Sequence, residues 1–152
     1  MVELSYIAGF FDGEGCFSLI RRWANGATSA ECKVRIINTS LEPLVEIQKF
    51  LGGKIRKRNE KRPRCKDNYC WYIGSVSECL RVTSILEPHL IAKKKQAQLM
   101  IEYCKNHVLY ESLTIKEKEI CEEMLSLNSK GADLKSLSYR EKAETLTKEE
   151  MK

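Results

Sequence analysis

The chain has 152 residues, of which 43% are hydrophobic and 31% charged, and 26 Lys+Arg against 21 Asp+Glu give a net charge of +5. A chain of this length builds one domain that buries roughly 70% of the surface its unfolded form exposes. With only 8 Gly and 3 Pro, the composition excludes disordered and collagen-like classes. No apolar run approaches the ~18–20 residues of a bilayer span. Acids stand where a signal peptide carries basic residues, so an intracellular protein with no membrane partner is expected.

In chain order, the apolar spacing of Leu4, Ile7, Ala8, Phe10 and Phe11 predicts a helix over 3–12, stopped by Gly13 and Gly15. The alternating runs 16–23 and 31–38 predict a hairpin with its turn at 24–29. Thr39-x-x-Glu42 reads as a capping box opening a helix to Leu51, which Gly52-Gly53 ends. A second hairpin pairs 53–59 with 68–75, and Trp71 and Ile73 face its apolar side. Ser75-x-x-Glu78 caps a helix to about Leu86, Pro88 starts another to about Asn106, and Thr114-x-x-Glu117 caps a third to about Leu127. The order α-ββ-α-ββ-α-α-α predicts an α+β fold: an αββαββα core, a four-stranded antiparallel sheet saddle with one open face, and C-terminal helices. Residues 1–130 form the domain. Residues 131–152 read as a loop and short helix capped by Ser138-x-x-Glu141, within the same domain or as a tail.

The basic excess lies in residues 1–115, and 54–66 alone carries eight Lys/Arg against one Glu. Alternation places Ser18, Ile20, Arg22, Glu31, Lys33, Arg35, Lys54, Arg56, Arg58, Asn68, Cys70 and Tyr72 on the open face. Cations, amides and an aromatic ring along strands of this length suit a DNA duplex. Lys130 is a further backbone-contact candidate. The seven cysteines include no CxxC pair, so a zinc knuckle is not expected; most read as small buried residues, and Cys65 with Cys70 is the one candidate disulfide. His89 and His107 receive no role.

The segment 7–15, IAGFFDGEG, joins small residues to an acid. Ala8, Gly9 and Gly13 permit close helix approach, and Glu14 follows a helix C-terminus, where the dipole disfavours a carboxylate unless a cation is bound. Each chain offers one such acid. If this helix packs on its own copy across a two-fold axis, two Glu14 side chains meet and require divalent cations between them, which predicts a homodimer suited to phosphodiester attack. Phe11 and Asp12 are placed with Ala8 and Gly9 at that interface, Asp12 bonding exposed backbone N–H groups.

IAGFFDGEG resembles the LAGLIDADG motif of homing endonucleases, and a single copy resembles their homodimeric, I-CreI-type class. The likeness extends through NTSLEPLVEIQKFLGGKI, LEPHLIAKKKQAQLMIEYC and LNSKG, covering roughly 1–130. The resemblance implies metal-dependent double-strand cleavage of a long pseudo-palindromic DNA site for intron or intein homing. It implies Mg²⁺ as cofactor, with Mn²⁺ substituting and Ca²⁺ binding without cleavage. By position, Glu14 and the Gly13 carbonyl match metal ligands, Asn38 a polar residue that orders water, and Lys93 the basic residue near the scissile phosphate. The acid is Glu where Asp is commoner, and the start of the second helix lacks the family's further basic residue. The alternative function is a non-cleaving RNA maturase, with intron RNA as partner, or a transcription regulator.

Overall fold

A computed structural model describes residues 2–24, 27–59 and 61–129. Its elements are α1 (Leu4–Glu14), β1 (Gly15–Ala24), β2 (Ala27–Asn38), α2 (Leu41–Leu51), β3 (Lys54–Arg58), β4 (Asn68–Ile73), α3 (Val76–Leu86), a 3-10 turn (Glu87–His89), α4 (Lys94–Asn106) and α5 (Ile115–Asn128). The fold is α+β, as the alternation of sequence patterns predicts. The strands form one antiparallel sheet in the order β1-β2-β4-β3.

Period-two alternation builds the core. Phe17, Leu19, Cys32, Val34, Ile36, Trp71 and Ile73 point to one side and are buried with Ile7, Phe11, Leu44, Ile47, Val82, Leu86, Met100 and Tyr103 of the helices. Trp71 is fully buried, and its indole Nε1 donates to the Gly52 carbonyl at 2.8 Å, so the one polar atom of the ring is satisfied. That contact leaves no room for a side chain at Gly53, whose backbone has φ +91° and where a Cβ would lie 2.7 Å from Nε1.

Several elements depart from the sequence expectation. Helix α1 does not stop at Gly13 but runs through Glu14, because Gly15 donates its backbone N–H to Phe11 O and closes the last turn. The β1–β2 ladder is longer than expected: β2 starts at Ala27, and pairing continues out to Trp23↔Thr28 and Ala24↔Ala27. Thr39 does not cap α2. Asn38 Oδ1 accepts the Ser40 N–H at 2.8 Å instead, and Ser40 is the capping position without a side-chain bond. The helix expected from Pro88 is broken at Leu90, which is buried, and α4 begins only at Lys94.

The other two caps form as the sequence predicts. Ser75 Oγ accepts the Glu78 N–H at 3.3 Å, and Thr114 and Glu117 exchange both bonds of a capping box, at 3.2 and 3.0 Å. Glu117 also meets His107 Nδ1 at 2.5 Å, with the His107 ring stacked on Tyr103. His107 thus has a partner that its isolation in the sequence hides. All seven cysteines are free thiols, and five are buried; Cys65 is exposed while Cys70 is buried, so the candidate pair is not bonded. The expected short helix at Ser138-x-x-Glu141, like Lys130, lies outside the described residues. Among the described residues no helix is long and apolar enough to cross a membrane.

Gly15 gives a direct test of the α1–β1 junction. A Cβ there would lie 2.5 Å from the Phe11 ring, which is wholly buried against Phe17 at a centroid distance of 4.6 Å. Because that ring has nowhere to go, Gly15→Ala is expected to cost about 1–3 kcal/mol of unfolding free energy, typical of overpacking. A urea midpoint equal to that of the wild type would show that the ring can yield.

Candidate functional site

The solvent face of the sheet carries the side chains that alternation assigns to it. Register places Ser18 opposite Lys33, Ile20 opposite Glu31, Arg35 opposite Tyr72, Lys54 opposite Tyr72, Arg56 opposite Cys70 and Arg58 opposite Asn68. They are not equally accessible. Arg22, Lys54, Arg56 and Arg58 are exposed, whereas Ser18 and Cys70 are buried beneath their neighbours despite lying on the open face. A duplex laid on this surface meets the cations first.

The charged groups are held to one another across the sheet. Glu31 accepts from Arg22 at 2.9 Å and pairs with Lys33 at 3.2 Å. These two bonds keep its carboxyl below the ordinary range. Tyr72 takes Lys33 Nζ 5.9 Å from its ring centroid and Arg56 Cζ at 5.2 Å. Salt bridge and cation–π contact thus order long side chains that would otherwise lose rotamer freedom on binding.

At the end of α1 the chain locks two segments together. The Asp12 carboxylate accepts the backbone N–H groups of Ile91 at 2.7 Å, Ala92 at 3.2 Å and Lys93 at 3.0 Å. Lys93 Nζ answers by donating to the carbonyls of Asp12, at 2.5 Å, and Phe11, at 3.4 Å. Burial raises the Asp12 pKa, but the three N–H donors and the Lys93 charge outweigh it and hold the carboxyl below its usual value. Asp12 therefore bonds N–H groups of its own chain, not of a partner. It also explains the late start of α4, since its oxygens claim the amides of 91–93.

Ala8 and Phe11, expected at a self-contact, are buried inside this chain at 1% and 0% exposure. Helical phase makes this necessary: Ile7, Ala8 and Phe11 share the face turned to the core. Gly9 and Gly13 lie on the opposite side, exposed, with nothing within 4 Å of where a Cβ would be. Glu14, the last helical residue, is exposed beside them. Asn38 ends β2 opposite Tyr69, with its side-chain oxygen occupied by the turn into α2.

The donors at the end of α1 suit a hard divalent cation. Glu14 offers a carboxylate and Gly13 a carbonyl, both oxygen ligands at the negative end of a helix dipole. Among the described residues no group of three or more His, Cys, Asp or Glu is placed to hold a metal. One chain thus supplies part of a coordination shell at most.

The sequence model of the LAGLIDADG endonucleases matches residues 7–107, which span α1 through α4 and contain the acid, the cationic sheet and Lys93. The chain belongs to the LAGLIDADG endonuclease family. Known folds agree. The archaeal intron-encoded homing endonuclease I-Vdi141I, solved in complex with DNA, is 22% identical with a TM-score of 0.69, covering 82% of each chain. I-TnaI, another homing endonuclease, is 23% identical with a TM-score of 0.66, covering 85% of this chain and 97% of that one. I-CvuI, solved on a DNA target that was not cleaved in the presence of magnesium, is 23% identical with a TM-score of 0.60, covering 84% of this chain and 78% of its own. No curated sequence matches the chain. For three residues that the sequence singles out, the structure supplies partners that its patterns did not show: Asp12 takes amides some eighty residues away, Glu31 takes Arg22 of the neighbouring strand along with Lys33, and Tyr72 meets Lys33 and Arg56 from the strands on either side.

Proposed function

We propose that two copies of this chain form a site-specific DNA endonuclease that cuts both strands of a long pseudo-palindromic duplex, as in intron or intein homing. The observation that carries the reading is the junction of three surfaces: the cationic open sheet, the exposed Gly9/Gly13 face of α1, and Glu14 at the end of that helix. Packing the glycine faces together brings the two Glu14 carboxylates side by side. Divalent cations are then required to offset their repulsion, and membership of the LAGLIDADG family points to Mg²⁺, with Mn²⁺ as substitute and Ca²⁺ as a binder that does not support cleavage. A bound divalent cation lowers the pKa of a water and stabilises charge at the phosphoryl oxygens.

The chain's own residues bind and orient. Glu14 and the Gly13 carbonyl hold the metal. Lys93, anchored at the end of α1 by two carbonyls, presents positive charge toward the phosphate, and Asn38 supports water order from the end of β2. The sheet cations set the register of the duplex. Retention of both Glu14 and Lys93 favours cleavage over a purely binding role.

The direct test is cleavage selection from a randomised duplex library, run with Mg²⁺ and with Ca²⁺. The expected product is one pseudo-palindromic site cut only with Mg²⁺. Retention of specific RNA or DNA without cutting under any divalent cation would turn the reading to a maturase or regulator.

Arg56 tests the reading face. It is exposed and stacked on Tyr72, so Arg56→Ala is expected to relax recognition by about 1–3 kcal/mol at a small number of base pairs. The measurement is relative affinity over all single substitutions of the selected site. A profile superimposable on that of the wild type would remove Arg56 from base reading.

A further inference from the structure

A carboxylate in the middle of a surface meant for a polyanion needs a reason. Glu31 projects from β2 onto the open face, opposite Ile20, with its side chain 39% exposed. Against phosphate it is repulsive. Its two cations could have been left free to bind DNA, yet both are committed to it: Arg22 at Oε2 and Lys33 at Oε1. Each carboxylate oxygen retains a lone pair beyond the bond it already accepts, so the group can still take a donor from outside the protein.

The donors that duplex DNA presents in its major groove are the exocyclic amino groups of cytosine and adenine. Adenine presents its amino group beside the N7 acceptor and is matched by an amide, which both donates and accepts. An acceptor-only carboxylate is matched by cytosine N4, and the neighbouring guanidinium by the O6 and N7 of guanine. Arg22 is held by one nitrogen and is otherwise 61% exposed, leaving donors free to point at a guanine. Lys33 is only 24% exposed and is flanked by the Tyr72 ring, so it neutralises Glu31 and is itself poorly placed to reach the duplex.

From this arrangement we infer that Glu31 is a specificity-determining residue that reads the N4 amino group of a cytosine in each half-site, with Arg22 on a guanine of the same or the adjacent base pair. Lys33 is the counter-charge that allows an acid to approach DNA, and Tyr72 holds Lys33 in place. The inference rests on the DNA-binding reading of the sheet, but not on cleavage.

The test is a binding selection with the full chain on randomised duplexes in Ca²⁺, for the wild type, Glu31→Gln and Glu31→Ala. The wild type is expected to select a C·G pair at one position of each half-site. Glu31→Gln should shift that position toward A·T, and Glu31→Ala should lose the preference there, while the other positions keep theirs. Replacing that cytosine by its 4-deamino analogue, which still pairs with guanine, should weaken the wild type about tenfold, within the range of one base-edge contact. The same replacement should leave Glu31→Ala unaffected. Equal losses from the analogue in wild type and Glu31→Ala, or variants that change affinity evenly at every position, would overturn the role of Glu31 alone. Failure of every protein to retain duplex DNA would overturn the DNA-binding reading itself.

Discussion

Glu14→Gln is expected to abolish Mg²⁺-dependent double-strand cleavage while leaving specific duplex binding in Ca²⁺ within a few-fold of the wild type. The substitution keeps size and one oxygen but removes the charge that would bind metal, and the exposed side chain makes no contact on which the fold depends. Loss of such electrostatic stabilisation costs on the order of 10²–10³-fold or more in rate. Binding survives because the cations of the sheet lie on β1, β2 and β3, not on α1. In a two-fold assembly one variant subunit can be paired with one wild-type subunit. That mixed species should cut poorly on both strands if metals are shared, and should nick one strand if each subunit acts alone. Full Mg²⁺-dependent cutting by the variant would sink the assignment of Glu14.

Asp12→Ala should produce the largest loss of stability among the site residues. It removes the acceptor for three backbone N–H groups at once, and Leu90 beside them is buried. Because Ile91 is 89% exposed, water can solvate part of what is freed. A loss of about 1–3 kcal/mol is therefore expected, in the range of one charged hydrogen-bonding group or a strong helix cap. The acceptor of the Lys93 backbone N–H goes with it, while the two carbonyls that take Lys93 Nζ remain, so the segment that carries Lys93 loosens and cleavage should fall by about tenfold even where the protein is folded, as for partners that orient a catalytic group.

The pH dependence separates charge from packing. The Asp12 carboxyl lies below its unfolded value in the folded chain, so its stabilisation is complete above the unfolded pKa of about 3.9 and is lost as pH falls through the folded value. Glu117 behaves in the same direction: burial raises its pKa, but bonds from Thr114 and His107 more than compensate. Urea midpoints of wild type and Asp12→Ala should thus differ at neutral pH and draw together as pH falls through the folded value. A difference that persisted below that value would assign the effect to packing rather than to the carboxylate.

Periodicity carried much of this molecule into view. Alternation on four strands, two of the helix caps, and an acid after a run of small residues were enough to read the α+β order, the open basic face and Glu14. These signals are local: each depends on residues within one turn or one strand. Where local signals competed, tertiary contacts decided. Thr39 and Asn38 both offer an oxygen before α2, and only the folded backbone shows that Asn38 takes the Ser40 N–H. The turn expected over 24–29 gives way to a longer ladder, in which Thr28 pairs with Trp23 and its carbonyl accepts the Leu113 N–H from a distant segment.

By itself, then, the sequence determined which residues share a sheet face, which helix ends in an acid, and where the positive charge accumulates, because these follow from period and spacing. Only the tertiary structure decided which small residues of α1 remain open, Gly9 and Gly13 rather than Ala8, since that depends on which side of the helix the sheet covers. It alone also joined Asp12 to the amides of 91–93, paired His107 with Glu117, and drew Glu31 between Arg22 and Lys33. A hydrogen bond acts over about 3 Å of space regardless of the length of chain between its partners, and that distance is set by the packing of the whole core.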